Sequence, residues 1–225
     1  MNILSDHLSF KHPFTAIIAG PTGSGKTVLL RRILENSVHT VSGVENIRVL
    51  WCYGIWQDLY KEPIICVISY VEGLPSQEDI KSYQPSIIVI DDLMTELGGN
   101  KSLANMFTKG SHHQNFSLFF IVQNMFHQAP QMRTISLNSH YLILMKNPRD
   151  KSQIAHLARQ LFPENPKYLM DSYLDATQNQ FGYLIIDLKP HTNDKYRLRT
   201  RITSYELPKS IKGGYAPIVY LPKNV

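Results

Sequence analysis

One stretch, FTAIIAGPTGSGKTVLLRRIL from Phe14 to Leu34, limits the possible folds more than the rest of the chain together. The apolar run Phe14 to Ala19 reads as a buried parallel strand. Val28, Leu29, Leu30, Ile33 and Leu34 supply the packing face of a helix from Lys26 to about Glu35. Between strand and helix, Gly20, Pro21, Thr22, Gly23, Ser24, Gly25, Lys26 and Thr27 fill the pattern G-x-x-x-x-G-K-[ST]. The backbone N–H groups of such a loop surround the α- and β-phosphates of a nucleotide. Gly20, Gly23 and Gly25 permit positive φ and a close approach of backbone to phosphate, which a Cβ would obstruct. Lys26 reaches the β- and γ-phosphates as a point charge, and the Thr27 hydroxyl completes the shell of a Mg²⁺ that keeps most of its waters. The helix points the positive end of its dipole at the same anion.

A second anchor is SIIVIDDLMTEL, Ser86 to Leu97, where four apolar residues run into paired acids. A central strand delivers carboxylates to a ligand edge in this way, and the pattern is a Walker B motif. Asp91 is expected to hold Mg²⁺ through a water, and Asp92 stands where a base orients the attacking water, with Glu96 as the substitute. FSLFFIVQN, Phe116 to Asn124, is a further apolar strand with Gln123 at its tip, an amide able to bond both the γ-phosphate and the lytic water. A simple capping amide at a strand end is the other reading of Gln123. With at least one strand between the two Walker motifs, the expected fold is α/β: a P-loop NTPase of the additional-strand (RecA-like) class. Its mainly parallel central sheet is flanked by helices and carries a late antiparallel strand pair.

The remaining segments fit around that core. Asn46 to Tyr53 and Ile64 to Tyr70 read as strands, a short helix starts near Ser76, and HYLILMK, His140 to Lys146, is another strand. Asp150 is expected to cap a helix whose apolar face is Ile154, Leu157, Ala158 and Leu161, and a second helix spans Pro166 to about Ala176. Tyr183 to Leu188 and Arg197 to Ser204 form the late pair, and the alternation of Arg197, Arg199 and Arg201 puts three cations on one face. That face either touches phosphate or is a solvated edge that blocks sheet pairing. Trp51 and Trp56 read as core or loop-base residues, and the adjacent His112 and His113 as solvated loop. By this reading residues 1–13 are a surface lead-in whose apolar residues could pack on the sheet edge. Residues 14–204 are the ATPase domain and 205–225 an extended tail that orders on a partner.

With 225 residues and 43% hydrophobic content, the chain suits one α/β domain with a substantial core. Lys+Arg exceed Asp+Glu by 23 to 18, a net +5 that permits nucleic-acid contact without demanding it. Two cysteines, Cys52 and Cys66, are too few for a zinc site and read as buried free thiols of a reducing compartment. No apolar run approaches the ~20 residues of a membrane span, so an intracellular protein with no membrane partner is expected.

The loop Gly20 to Thr27, Ile87 to Asp92, the IVQN at Ile121 to Asn124 and the stretch RTISLNSHYLILMKNPRDKSQIAHLARQLFP together resemble viral DNA-packaging ATPases of the FtsK-HerA superfamily. The poxvirus-type enzymes and relatives in adintoviruses and Maverick (polinton) elements are the most similar, over about Phe14 to Ser204. The resemblance implies an ATP- and Mg²⁺-dependent motor, a homo-oligomeric ring that pushes double-stranded DNA into a preformed capsid through contact with a capsid or portal protein. It implies virion assembly inside the host cell as the place of action. Residue by residue, Lys26 and Thr27 match the Walker A lysine and hydroxyl, Asp91 the metal-linked acid and Gln123 the polar sensor. Asp92 departs from the Glu found there in many members, which leaves the base open between Asp92 and Glu96. Arg133 is the first candidate for an arginine finger acting across a subunit interface, with Arg149 and Arg159 next. A DNA helicase or replication-associated ATPase is the alternative on the same core, and a regulatory nucleotide switch a further one.

Overall fold

The computed structural model describes residues 8–93, 101–110, 114–125, 130–149, 151–203 and 217–222. In chain order, β1 (Phe10–Lys11) and β2 (Thr15–Ala19) precede α1 (Lys26–Glu35), the short α2 (Ser37–Thr40), β3 (Val41–Ser42), β4 (Arg48–Tyr53), β5 (Val67–Glu72), α3 (Gln77–Tyr83) and β6 (Ile87–Asp91). Then come α4 (Lys101–Asn105), β7 (Ser117–Val122), α5 (Pro130–Leu137), β8 (Tyr141–Met145), α6 (Lys151–Leu161), α7 (Pro166–Ala176), β9 (Tyr183–Asp187), β10 (Leu198–Thr200) and β11 (Ile218–Tyr220). Every residue of β2, β6, β7 and β8 is buried, so these strands are covered on both faces and their sequences do not alternate.

Among the described residues, the main sheet has nine strands in the order β11-β10-β9-β8-β2-β7-β6-β4-β5. The six from β8 to β5 are parallel, while β9, β10 and β11 pair antiparallel at one edge. β7, which follows the Walker B strand in sequence, separates β2 from β6 in the sheet, the arrangement of the additional-strand class. One sheet face, with Ile17, Ile88, Ile90, Leu118 and Phe120, packs on Leu103, Phe107, Ile135, Leu157 and Tyr173 from the helices. The other, with Ile18, Trp51, Val89 and Phe119, packs on Leu29, Leu30, Ile33 and Leu34 of α1 and on Tyr60. Each fully buried Leu, Ile or Phe contributes about 1.5–3 kcal/mol, which fixes the sheet as the rigid frame of the strand ends. Ser76 caps α3 in a reciprocal box: its Oγ accepts from Asp79 N at 3.0 Å, and Asp79 Oδ2 accepts from Ser76 N at 2.8 Å.

Three readings of the sequence change. The core begins before residue 14: Leu8 and Phe10 are buried, β1 pairs in parallel with β3, and the Phe10 ring stacks on Phe14 at 5.3 Å. Within the expected tail, Ile218–Tyr220 pairs antiparallel with β10, so this part orders on the chain's own sheet. Arg199 is neither a phosphate contact nor a solvated cation, because it is completely buried and paired with Asp187 at 3.1 Å. β10 is an interior strand, and β11 covers the edge that the alternation of Arg197, Arg199 and Arg201 suggested was open. Glu96, His112, His113, Asp150 and residues 204–216 lie outside the described residues.

Candidate functional site

The turn from β2 into α1 is shaped by its glycines. Gly23 and Gly25 have φ of +77° and +88°, in the left-handed region where glycine carries no steric cost. Gly20 acts by close approach alone, since a Cβ there would lie 2.6 Å from Met145 Cβ of β8. Gly25 is held on its other side by Phe181, whose Cδ1 would stand 3.1 Å from an added Cβ. Lys26 Nζ donates to Gly20 O at 2.7 Å and Pro21 O at 3.0 Å, so the ammonium sits inside the loop. Burial lowers its pKa, and the charges of Asp91 and Asp92 work against that shift. Ser24 Oγ is buried and has no hydrogen-bond partner among the described residues, which leaves a donor within the same turn. A left-handed glycine turn, an enclosed ammonium and an unused hydroxyl fit a polyphosphate.

Strand register carries the acid to this loop. Ala19 pairs with Val122 and Asp91 with Ile121, so the ends of β2, β7 and β6 form one edge. Thr27 Oγ1 donates to Asp91 Oδ2 at 3.2 Å, which closes the first strand–loop–helix unit onto the acidic strand. Tyr60 OH donates to the same oxygen at 2.9 Å. Burial raises the Asp91 pKa, and the hydrogen bonds from Tyr60 and Thr27 pull it back down. The Tyr60 phenol is itself pushed up, by burial first and then by the Asp91 charge, so it stays a donor. A hydroxyl and a carboxylate this close are the hard oxygen donors that Mg²⁺ accepts, and the pair therefore fits the metal. This is a P-loop NTPase fold.

No family model matches the sequence, and no curated protein matches it. Among solved structures, the chain is similar in fold to the genome packaging NTPase B204 of Sulfolobus turreted icosahedral virus 2. In that protein's AMPPCP complex the identity is 12%, the overlap covers 78% of this chain and 93% of B204, and the TM-score is 0.54. Its ATP-gammaS complex gives 12% identity, 78% and 92% coverage and 0.53. The DNA-packaging ATPase B204 of Sulfolobus Turreted Icosahedral Virus gives 13% identity, 79% and 94% coverage and 0.52. At these identities the likeness is one of fold.

Two hollows flank the loop and share Thr22, Gly23 and Gln123. The smaller, about 260 Å³, is lined by Gly25, Lys26, Thr27, Asp91 and Asp92, together with Gln57 and Leu59. It gathers Thr22, Gly23, Gly25, Lys26, Thr27, Asp91, Asp92 and the expected sensor Gln123 around one space, while Gly20, Pro21 and Ser24 line the larger hollow. Asp92 is exposed at its rim with φ +56°, a left-handed backbone held by close packing, since a Cβ on Gly54 would lie 2.6 Å from Asp92 O. The larger hollow, about 730 Å³, lies on the β8 side and is lined by Asn147, Pro148, Arg149, Gln180 and Phe181 among others. Arg149 is thus beside the loop but away from the acids, while Arg133 on α5 and Arg159 on α6 are exposed and line neither hollow. Tyr60 and Phe181 went unread in the sequence. Tyr60, 31 positions before Asp91, lies in the turn Asp58–Lys61 that follows β4, and the pairing of β4 with β6 brings that turn to the acid, so no spacing rule links the two.

Proposed function

We propose that this chain is the ATP-hydrolysing subunit of a viral genome-packaging motor of the FtsK-HerA type, a homo-oligomeric ring that drives double-stranded DNA into a preformed capsid. The observation that carries the reading is the convergence of Lys26, Thr27, Asp91 and Gln123 on one 260 Å³ hollow at the end of β2. The fold held in common with B204, over 92–94% of that protein, supports packaging as the use to which hydrolysis is put.

In this reading the loop amides and Lys26 hold the triphosphate, and the dipole of α1 favours its charge. The Thr27 hydroxyl and, through water, Asp91 would hold Mg²⁺, which would supply positive charge to the triphosphate. Gln123 bonds the attacking water and the γ-phosphate, and Asp92 or Glu96 accepts the proton that water gives up. Arg133, which follows the sensor strand and is exposed outside the hollow, is the residue we assign to the γ-phosphate of a neighbouring subunit. DNA contacts go to phosphates, since packaging is indifferent to sequence, and so weaken steeply with salt. The motor domain, into which Leu8, Phe10 and Ile218–Tyr220 are built, acts where virions assemble, with a capsid or portal protein as partner.

The test is ATP turnover by the purified chain with and without duplex DNA, beside a forked-duplex unwinding assay. Stimulation by duplex without strand separation is the expected result, and rings encircling DNA in electron micrographs extend it. Unwinding of the fork in the absence of capsid would make the protein a helicase instead. Mixing Arg133→Ala with Lys26→Ala subunits is expected to restore part of the ATPase that each variant lacks. No recovery would remove Arg133 from the role of finger.

A further inference from the structure

We propose that the 730 Å³ hollow beside the P-loop is a purine nucleoside subsite, with the Phe181 ring as the platform on which the base stacks. The inference rests on the nucleotide reading above and adds the part of the ligand that the Walker residues leave unassigned.

The phosphate end of the ligand is fixed by chemistry. Lys26, Thr27, Asp91 and Asp92 line the 260 Å³ hollow, so the terminal phosphates and metal face that side of the loop. That space is smaller than the roughly 300–1,000 Å³ of a typical ligand pocket and leaves no room for a nucleoside. The second hollow falls within the range, and it meets the first along Thr22, Gly23 and Gln123, so a ligand can span both.

What stands in this larger hollow is unusual for a surface. Phe181 is 52% exposed although it is a large aromatic, and it lies against Gly25, the glycine that opens α1. Its φ of +60° is a left-handed conformation that bulky residues rarely adopt. Its surroundings hold it there. Gly182 cannot carry a side chain, since a Cβ would lie 2.5 Å from Ala176 O, and Gly182 O accepts from Lys146 N at 2.9 Å. Lys146 Nζ donates to Gln178 O at 2.8 Å and ties the start of the same turn to β8. A rigid turn thus presents an aromatic face to an open cavity beside the phosphate loop. Stacking recognises a flat π-surface without reading its hydrogen-bonding edge, so adenine and guanine are both accepted and purines are favoured over pyrimidines by overlap area.

The experiment titrates the full-length protein, in Mg²⁺, with a non-hydrolysable ATP analogue and separately with inorganic tripolyphosphate. Phe181→Gly removes the ring while placing at 181 the residue that suits positive φ, so the variant is expected to unfold no earlier than the parent. It should bind the analogue about 5- to 150-fold more weakly, the range for loss of one base–aromatic stack. Tripolyphosphate affinity should not change, and Phe181→Trp should restore the analogue's affinity and show quenched fluorescence on binding. Equal weakening of both ligands, or no weakening of the analogue, overturns the subsite while leaving the P-loop reading intact. If the parent protein binds neither ligand, the nucleotide reading itself fails and the subsite with it.

Discussion

Two buried aspartates, four strands apart in the sheet, have been given opposite company. Asp91 and Asp187 end their strands at 2% and 3% exposure. Asp187 faces a full positive charge, Arg199 at 3.1 Å, and also accepts from Lys189 N and Thr192 Oγ1 at 3.0 Å. Arg199 in turn lies 5.6 Å from the centre of the Tyr141 ring, so the ion pair is sealed between strands. Among the described residues, the hydrogen bonds that reach the Asp91 carboxylate come from neutral hydroxyls, those of Thr27 and Tyr60, and Lys26 bonds to loop carbonyls rather than to it. Two hydroxyl donors orient a carboxylate without cancelling its charge, whereas a guanidinium cancels it. The first arrangement keeps an anion ready for a cation from solution, and the second spends the anion on the fold.

The comparison breaks most readily at Arg199. Arg199→Ala leaves Asp187 buried without its counter-charge, and the expected loss is about 3–5 kcal/mol. At about 2–4 °C per kcal/mol for a chain of this size, unfolding should move down by about 6–20 °C in a calorimeter. A shift of only a degree or two would mean that Asp187 is not the structural member of the two. Asp91→Asn should do the reverse. Because burial raises the Asp91 pKa, the carboxyl is favourable below its unfolded value and the benefit is lost as pH rises through the folded one, so ionisation at neutral pH costs stability. The amide should therefore unfold at the same temperature or higher, while ATP turnover falls about 10- to 100-fold, the usual effect of losing a group that holds a metal through water. A fall in melting temperature like that of Arg199→Ala would put both aspartates in one class.

Tyr60→Phe removes one of the two hydroxyls. The missing hydrogen bond is worth about 0.5–1.5 kcal/mol, so half-saturation of nucleotide binding should need about 2- to 10-fold more Mg²⁺ in a titration followed by calorimetry. Unaltered Mg²⁺ dependence would show that Thr27 alone orients Asp91. The smallest effect is expected on the surface of the antiparallel edge, where Asp194, 81% exposed, pairs with Arg197 at 2.6 Å. Asp194→Ala should change stability by about 0.2–1 kcal/mol, measured in urea. A larger loss would mean that burial is not what separates the strong ion pair of this edge from the weak one.

The parallel half of the sheet was legible in the sequence because its signals are local. A phosphate loop needs its glycines, lysine and hydroxyl at fixed spacing, and an apolar run ending in acids marks the strand edge where Asp91 lies 3.2 Å from Thr27. Gln123 was found for the same reason, as the first polar residue after β7. Alternation misled at Arg199, since period-two spacing says which residues share a face but not what later chain covers it, here β11. Phe10 escaped because a two-residue strand has no period to read, although its ring packs on Phe14, Phe119 and Tyr141. Phe181 sits in a turn, where only the adjoining Gly182 hinted at tight backbone, and nothing in the spacing tied it to Gly25.

The phenol that touches Asp91 also sits among the chain's two tryptophans, with ring centres 5.5 Å from Trp51 and 5.4 Å from Trp56. Any shift of that phenol alters the surroundings of both indoles. The protein therefore carries a built-in optical gauge of its acidic strand end, readable by ultraviolet emission without attaching a dye.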